Sequence, residues 1–331
     1  MVTIYDIAEK AGVSGSTVSR ALNGSRLVSD PVRERIQSIA QDLGFEKRNV
    51  RRHRQRTILN IRLVLPHHDS PERGLFFDLS QLIDGLRKGF APTAINILTD
   101  LGGPSFVPFP HKKGGDTDAF VFAFNVPSQQ VLTTLIDRSI PFVILNRATP
   151  GLPCIACDHA GGMEELVEHV TTKSRDIKPC LITIEGMGET FEERLGGLTN
   201  GLHKKKIKFN AEADIFTFKD SASISKDAIA AIAEKHDTLF CINDIVGSVV
   251  LAELGQLGIA VPQTCQVTGF DDSPLRRITR PLLTTVAMPV FELAKRAGER
   301  LTTEVIEGVA SIPLERLRGP LLVGESTQPK A

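Results

Sequence analysis

No stretch of the 331 residues approaches the roughly 18 uninterrupted apolar residues that a membrane helix requires, so a soluble chain with no membrane partner is expected. Tryptophan is absent as well. The first ten residues alternate apolar and charged side chains where a secretory signal would place a basic region before an apolar run, which points to the cytoplasm. Cysteine is sparse and odd in number: Cys154, Cys157, Cys180, Cys241 and Cys265 exclude a disulfide framework and read as reduced, mostly buried thiols. Cys154 and Cys157 form a single C-x-x-C, short of the four ligands of a structural zinc. Enzyme signatures are also missing. No phosphate loop occurs, Gly186-Met187-Gly188 lacks the third glycine of a dinucleotide fingerprint, and no G-x-S-x-G elbow is present. His67-His68-Asp69 holds three ligand types, but adjacent residues rarely face one metal. No catalytic residue, metal or cofactor is therefore expected.

The length suits a small module followed by one or two medium lobes, since domains usually hold about 100 to 200 residues. A formal charge of zero conceals an asymmetry. Up to Arg56 there are eleven Lys plus Arg against six Asp plus Glu, while the remainder carries the compensating acidic excess. The basic end is a candidate polyanion binder.

Within that end, Ile4, Ile7, Ala8 and Ala11 keep the spacing of an amphipathic helix, with Thr3 as N-cap and Gly12 as stop. Ser14 can cap a second helix whose Val18, Ala21 and Leu22 face inward, and Asn23-Gly24 ends it. A third begins at Ser29-Asp30-Pro31, buries Val32, Ile36, Ile39 and Leu43, and closes at Gly44. Three short helices with a three-residue turn between the first two form a helix-turn-helix, whose second helix enters the major groove of DNA. Its outer face carries Gly15, Ser16, Thr17, Ser19, Arg20 and Asn23, small or hydrogen-bonding residues that let the backbone approach phosphates while Arg20 reaches a guanine edge or a phosphate. The same pattern also fits a polar helical bundle with no DNA role.

The runs Thr3-Ile4-Tyr5-Asp6-Ile7-Ala8-Glu9-Lys10-Ala11-Gly12-Val13-Ser14 and Thr17-Val18-Ser19-Arg20-Ala21-Leu22-Asn23 closely resemble the DNA-binding head of the lactose-repressor (LacI/GalR) family. The resemblance implies a transcriptional regulator, commonly a repressor, that sets two heads of a homodimer on a roughly palindromic operator. It implies that Gly15, Ser16 and Arg20 read bases, while Thr3, Tyr5, Thr17, Ser19, Asn23 and Ser29 hold phosphates. The head is expected over 1–46, a basic linker over 47–57 and an effector-binding, dimerising part over 58–331.

The linker departs from the family's pattern. Lys47-Arg48 stands where Pro-Asn is expected, and Arg51-Arg52-His53-Arg54 where Ala-Arg-x-Leu is expected, so Arg54 replaces the leucine wedge. A guanidinium cannot unstack a base step as an apolar wedge does, though it suits a narrow minor groove. Six of the ten residues from Lys47 to Arg56 are Lys or Arg, so Arg48, Arg51 and Arg54 are expected at phosphates, with affinity falling steeply in salt. A solvated tether that orders only on DNA is the alternative.

Beyond the linker, short apolar runs at 61–65, 94–98, 119–124, 142–145, 180–184, 238–242 and 266–270 alternate with helical stretches, which predicts an α/β architecture of parallel sheets in two lobes. Ligands of such sheets bind at the strands' C-terminal ends, here in a cleft between lobes. Asn146-Arg147 resembles the family's strand-ending Asp-Arg, with asparagine in the acidic place. Asp158-His159, Glu193-Arg194-Leu195, Asn243-Asp244 and Gly269-Phe270-Asp271-Asp272 follow in the family's order. The resemblance implies two lobes like those of periplasmic sugar-binding proteins, with crossings near 157, 287 and 315, and an arginine, Arg194, that reaches the effector. Asn146, Asp158, Arg194, Asn243 and Asp271 offer the paired donors and acceptors that vicinal hydroxyls require, although some of these residues can equally cap helices or tie the lobes together. Phe76 can stack on a sugar face or pack in the core. A small polar effector, a sugar or sugar derivative, is expected. A sugar-binding module or hydrolase carrying a DNA-like head is the competing function, to be recognised by catalytic turnover or by failure to bind any operator.

Overall fold

The computed structural model describes residues 4–22, 28–43, 45, 58–67, 76–103, 105–109, 117–172, 176–307 and 314–328, with the side chains of Ile4 and Tyr5 excepted. Thr3, Asn23, Arg48, Arg51 and Arg54 lie outside the described residues, as does the linker over 47–57.

Helices α1 (Ile4–Ala11), α2 (Gly15–Leu22) and α3 (Asp30–Asp42) form the head. Ile7, Ala11, Val18, Ala21, Ile36 and Ala40 meet in a core of their own, separate from those of the rest of the chain. Gly12 ends α1 at φ +66°, a left-handed turn that most side chains resist. Ser14 then starts α2, its Oγ accepting from the N–H of Thr17 at 3.2 Å.

The first lobe contains β1 (Ile58–Leu65), α4 (Leu79–Phe90), β2 (Ala94–Leu101), β3 (Ala119–Ala123), α5 (Gln129–Asp137), β4 (Phe142–Leu145) and β5 (Cys154–Cys157). The second holds α6 (His159–Val170), β6 (Pro179–Ile184), α7 (Glu189–Lys204), α8 (Ala211–Asp214), β7 (Ile215–Phe218), α9 (Lys226–Ala233), β8 (Thr238–Cys241), α10 (Asp244–Gln256), β9 (Gln266–Thr268) and β10 (Thr285–Val286). Three later elements divide between the lobes: α11 (Val290–Thr302), β11 (Leu314–Leu317) and β12 (Leu321–Leu322). One parallel sheet runs β11-β5-β4-β3-β1-β2, another runs β7-β6-β8-β9, and β10 pairs antiparallel with β12. The chain therefore leaves the first sheet after Cys157, returns over Ala287–Pro289 into α11, and crosses once more between β11 and β12.

Helices α4 and α11 cover one face of the first sheet and approach so closely that a Cβ on Gly89 would lie 2.1 Å from the carbonyl of Lys295. The other face is packed by α5 and by Phe106 and Phe109, which lie against Phe122 and Phe120 in the connection between β2 and β3. On β5, Cys154 joins the cluster on one face and Cys157 the cluster on the opposite face, so the C-x-x-C cannot converge on one ion. Burial pushes the Cys157 and Cys265 thiols up to about 12. Among the described residues no group of three metal-ligating side chains forms, and no helix is long and apolar enough to cross a membrane.

Candidate functional site

Two surfaces concern function. On the head, Val18 and Ala21 turn α2 inward and leave Ser16 exposed and Gly15, Thr17, Ser19 and Arg20 half-exposed. The Ser14 hydroxyl lies 2.8 Å from those of Ser16 and Thr17, a short polar ridge at the helix start. Ser29 precedes α3 with an extended backbone, exposed, its side chain making no capping bond. Of the expected base and phosphate contacts, Gly15, Ser16, Thr17, Ser19, Arg20 and Ser29 thus present themselves on the surface.

The second surface lies where the strands of both lobes end. Arg194, on α7, is 1% exposed. Its guanidinium donates to Asp271 and to the carbonyl of Ile242, and sits 3.9 Å from the centre of the Phe270 ring. Its Nε and a terminal nitrogen approach His159 Nδ1 at 3.3 and 3.2 Å. Nδ1 accepts from an arginine only in the neutral imidazole, with the proton on Nε2. Burial first, and the Arg194 charge second, hold the His159 pKa well below its ordinary value.

Asn146 ends β4 at φ +55°, a conformation that asparagine tolerates. Its Oδ1 accepts from Cys157 N at 3.0 Å and its Nδ2 points to Met288 Sδ at 3.0 Å. Met288, in the second crossing, donates its own N–H to the carbonyl of Asp271 at 3.1 Å. Through Met288 the structure brings Asn146, Arg194 and Asp271 together. Beneath them Asp244 is fully buried, accepting from Thr285 Oγ1 at 2.6 Å and Ser273 N at 2.7 Å, and burial raises its pKa well above the carboxylate range. A cleft of about 200 Å³ adjoins this cluster, lined among others by Phe77, Asp78, Asp271, Asp272, Met288 and Glu292.

Other expected ligands are engaged differently. Asp158 caps α6 by accepting from Gly161 N at 2.9 Å, and its second oxygen pairs with Arg318 at 2.7 Å, tying the first crossing to the third. Asn243 caps α10 through Val246 N at 2.9 Å. Phe76 packs edge-on against Phe77 and Phe124. Three residues that the sequence reading left out join the site. These are His159 and Met288, together with Arg147, whose Nη1 donates to the carbonyl of Asn146 at 2.7 Å and contacts Thr190 Oγ1 at 3.4 Å. Arg147 and His159 each adjoin a residue already singled out, so motif adjacency was the available signal, whereas Met288 had none.

The model of "Bacterial regulatory proteins, lacI family" matches residues 3–47, and that of the "Periplasmic binding protein-like domain" matches residues 175–327. The ribose operon repressor of Bacillus subtilis (strain 168) is 27% identical over 308 residues, covering 91% of each chain. Residues 3–47 thus carry a lacI-family head, and residues 175–327 a periplasmic binding protein-like domain.

Solved structures of transcriptional regulators share its fold. The complex of the transcriptional regulator CelR with cellobiose superposes with a TM-score of 0.62 at 20% identity, covering 98% of this chain and all of that one. The lac repressor dimer bound to operator and the anti-inducer ONPF gives 0.63 at 18% identity, covering 98% and 99%. At these identities the likeness concerns architecture: a helix-turn-helix head on a two-lobed α/β body.

Proposed function

We propose that this chain is a transcriptional repressor that binds a palindromic operator as a homodimer and responds to a small hydroxylated effector, a sugar or sugar derivative, within the cytoplasm. The observation that carries the reading is the outward face of α2, with Ser16 exposed and Gly15, Thr17, Ser19 and Arg20 beside it, on a head that has its own core. Relatives named as operon repressors and structures holding cellobiose or ribose support it. At the cleft, Asp271, Asp272 and Asp78 supply acceptors for hydroxyls, and Arg194 fixes Asp271 in place. Effector binding between the lobes alters their relative orientation. That alteration reaches the heads and shifts operator affinity by the effector's differential affinity for the two arrangements.

The test is selection of bound sites from a random duplex library by the purified protein at two salt concentrations. A palindromic motif and a steep salt slope are expected. Arg20→Ala should weaken binding to that motif by about 1–3 kcal/mol. Recovery of salt-sensitive binding without a motif would remove operator specificity from the reading.

A further inference from the structure

Arg147 follows Asn146 at the end of β4, and burial, with the Arg194 charge second, lowers its pKa from the arginine value. Its hydrogen bonds go to two neutral oxygens, the carbonyl of Asn146 and the hydroxyl of Thr190, and no carboxylate among the described residues forms an ion pair with it. The position before it, acidic in the pattern that this chain otherwise resembles, is asparagine. The surrounding carboxylates are committed: Asp271 to Arg194, Glu193 to Arg316 and Asp158 to Arg318. Glu189, which is exposed, accepts from the N–H of Ala148, and burial together with neighbouring Glu193 raises its pKa. Asp271, Glu189 and Glu193 attract Arg147 at a distance, but none of them pairs with it directly. A half-buried guanidinium with no directly paired carboxylate can receive a bound anion with the fork geometry that arginine favours.

The cleft that adjoins the Arg194 cluster, and whose lining does not include Arg147, differs in sign. The cleft is lined by Asp78, Asp271, Asp272 and Glu292, with no Lys or Arg among its lining residues. Carboxylates there accept from hydroxyls. Asp271 and Met288 belong both to this lining and to the cluster around Arg194. At about 200 Å³ the cleft is smaller than the roughly 300–1,000 Å³ of pockets for drug-sized ligands, which suits a single sugar unit.

We infer that the effector is an anionic sugar derivative, its hydroxyls directed to the acid-lined cleft and its carboxylate or phosphate received by Arg147; this rests on the sugar-sensing reading above and narrows it. The test is titration calorimetry of the full chain with a panel of pentoses and hexoses, each as the neutral sugar, the sugar acid and the sugar phosphate. One anionic member should bind about tenfold or more tighter than its neutral counterpart. Arg147→Gln should erase that preference and Arg147→Lys should retain most of it, a contrast that a merely structural role would not produce. Asn146→Asp, which returns a carboxylate to the arginine's side, should weaken the anion several-fold more than it weakens the neutral sugar. The carboxylate and phosphate arms decide which anion is meant. Equal or tighter binding of neutral members, or an anion preference that survives in Arg147→Gln, overturns the inference while leaving a sugar sensor. No heat from any member, with operator binding intact, overturns the sugar reading along with it.

Discussion

In the second lobe, Arg194 is closed on by Asp271, His159 and a carbonyl, Arg276 pairs with Asp272 at 3.3 Å and donates to the carbonyl of Leu283 at 2.6 Å, and buried Asp244 accepts two hydrogen bonds. In the first lobe, Arg147 meets only neutral oxygens, and one carboxylate oxygen of Glu304, just after α11, is buried without a hydrogen-bond partner. Both lobes are built on parallel sheets, so the sheet does not explain the contrast. The second lobe reaches the cleft with its charged groups paired or hydrogen-bonded, although the Ser273 and Thr268 hydroxyls are buried without a partner. The first reaches it with a guanidinium, that of Arg147, which no carboxylate among the described residues pairs with directly.

The largest test of that comparison is Asp271→Ala, which would strand the buried guanidinium of Arg194. Urea denaturation should register a loss of about 3–5 kcal/mol. Arg147→Gln should stay within about 1 kcal/mol of the parent protein, because its partners are neutral. Equal losses for the two would erase the distinction between lobes.

Glu304 gives the next effect. Its pKa is raised from 4.5 to about 7, by burial, with Arg300 partly opposing. A carboxyl whose folded pKa lies above its unfolded value binds more protons when folded. Its contribution is therefore complete below about 4.5 and lost as pH rises through about 7. Glu304→Gln should stabilise the protein by on the order of 1–3 kcal/mol at pH 8 and by little at pH 4, flattening stability between those limits. Unfolding curves at both pH values read this directly, and a variant with an unchanged pH slope would show that Glu304 already has its compensation.

The smallest effect belongs to the exposed pair Lys204–Glu164, 2.7 Å apart on the second lobe. Lys204→Ala should move the melting free energy by less than about 0.5 kcal/mol. A larger change would mean that the second lobe depends on surface charge as well as on its buried network.

Legibility in the sequence followed the range of the interaction. The three head helices have local causes: Ser14 before the second, Gly12 after the first and Pro31 opening the third. The long apolar strands of both sheets were readable from their runs. β7 and β11 are partly buried or exposed along their length and carry no continuous buried apolar run, while β5 went unread although it is as long as β4 and fully buried. At the site, Asn146, Arg194 and Asp271 were readable as polar residues at strand ends or facing them. Asp158 and Asn243 belong to the same motifs and yet cap α6 and α10, because an Asp or Asn just before a helix serves the helix N–H groups as readily as a ligand.

By itself the sequence determined the helix-turn-helix, the α/β class and the family pattern of polar residues at strand ends, all carried by spacing along the chain. Tertiary structure alone decided which charges are compensated. Asp271 closes on Arg194 across 77 residues, Arg318 closes on Asp158 across 160, and Arg147 is left with neutral partners. Compensation depends on which side chains share a low-dielectric volume, and only the folded chain brings those distant residues together.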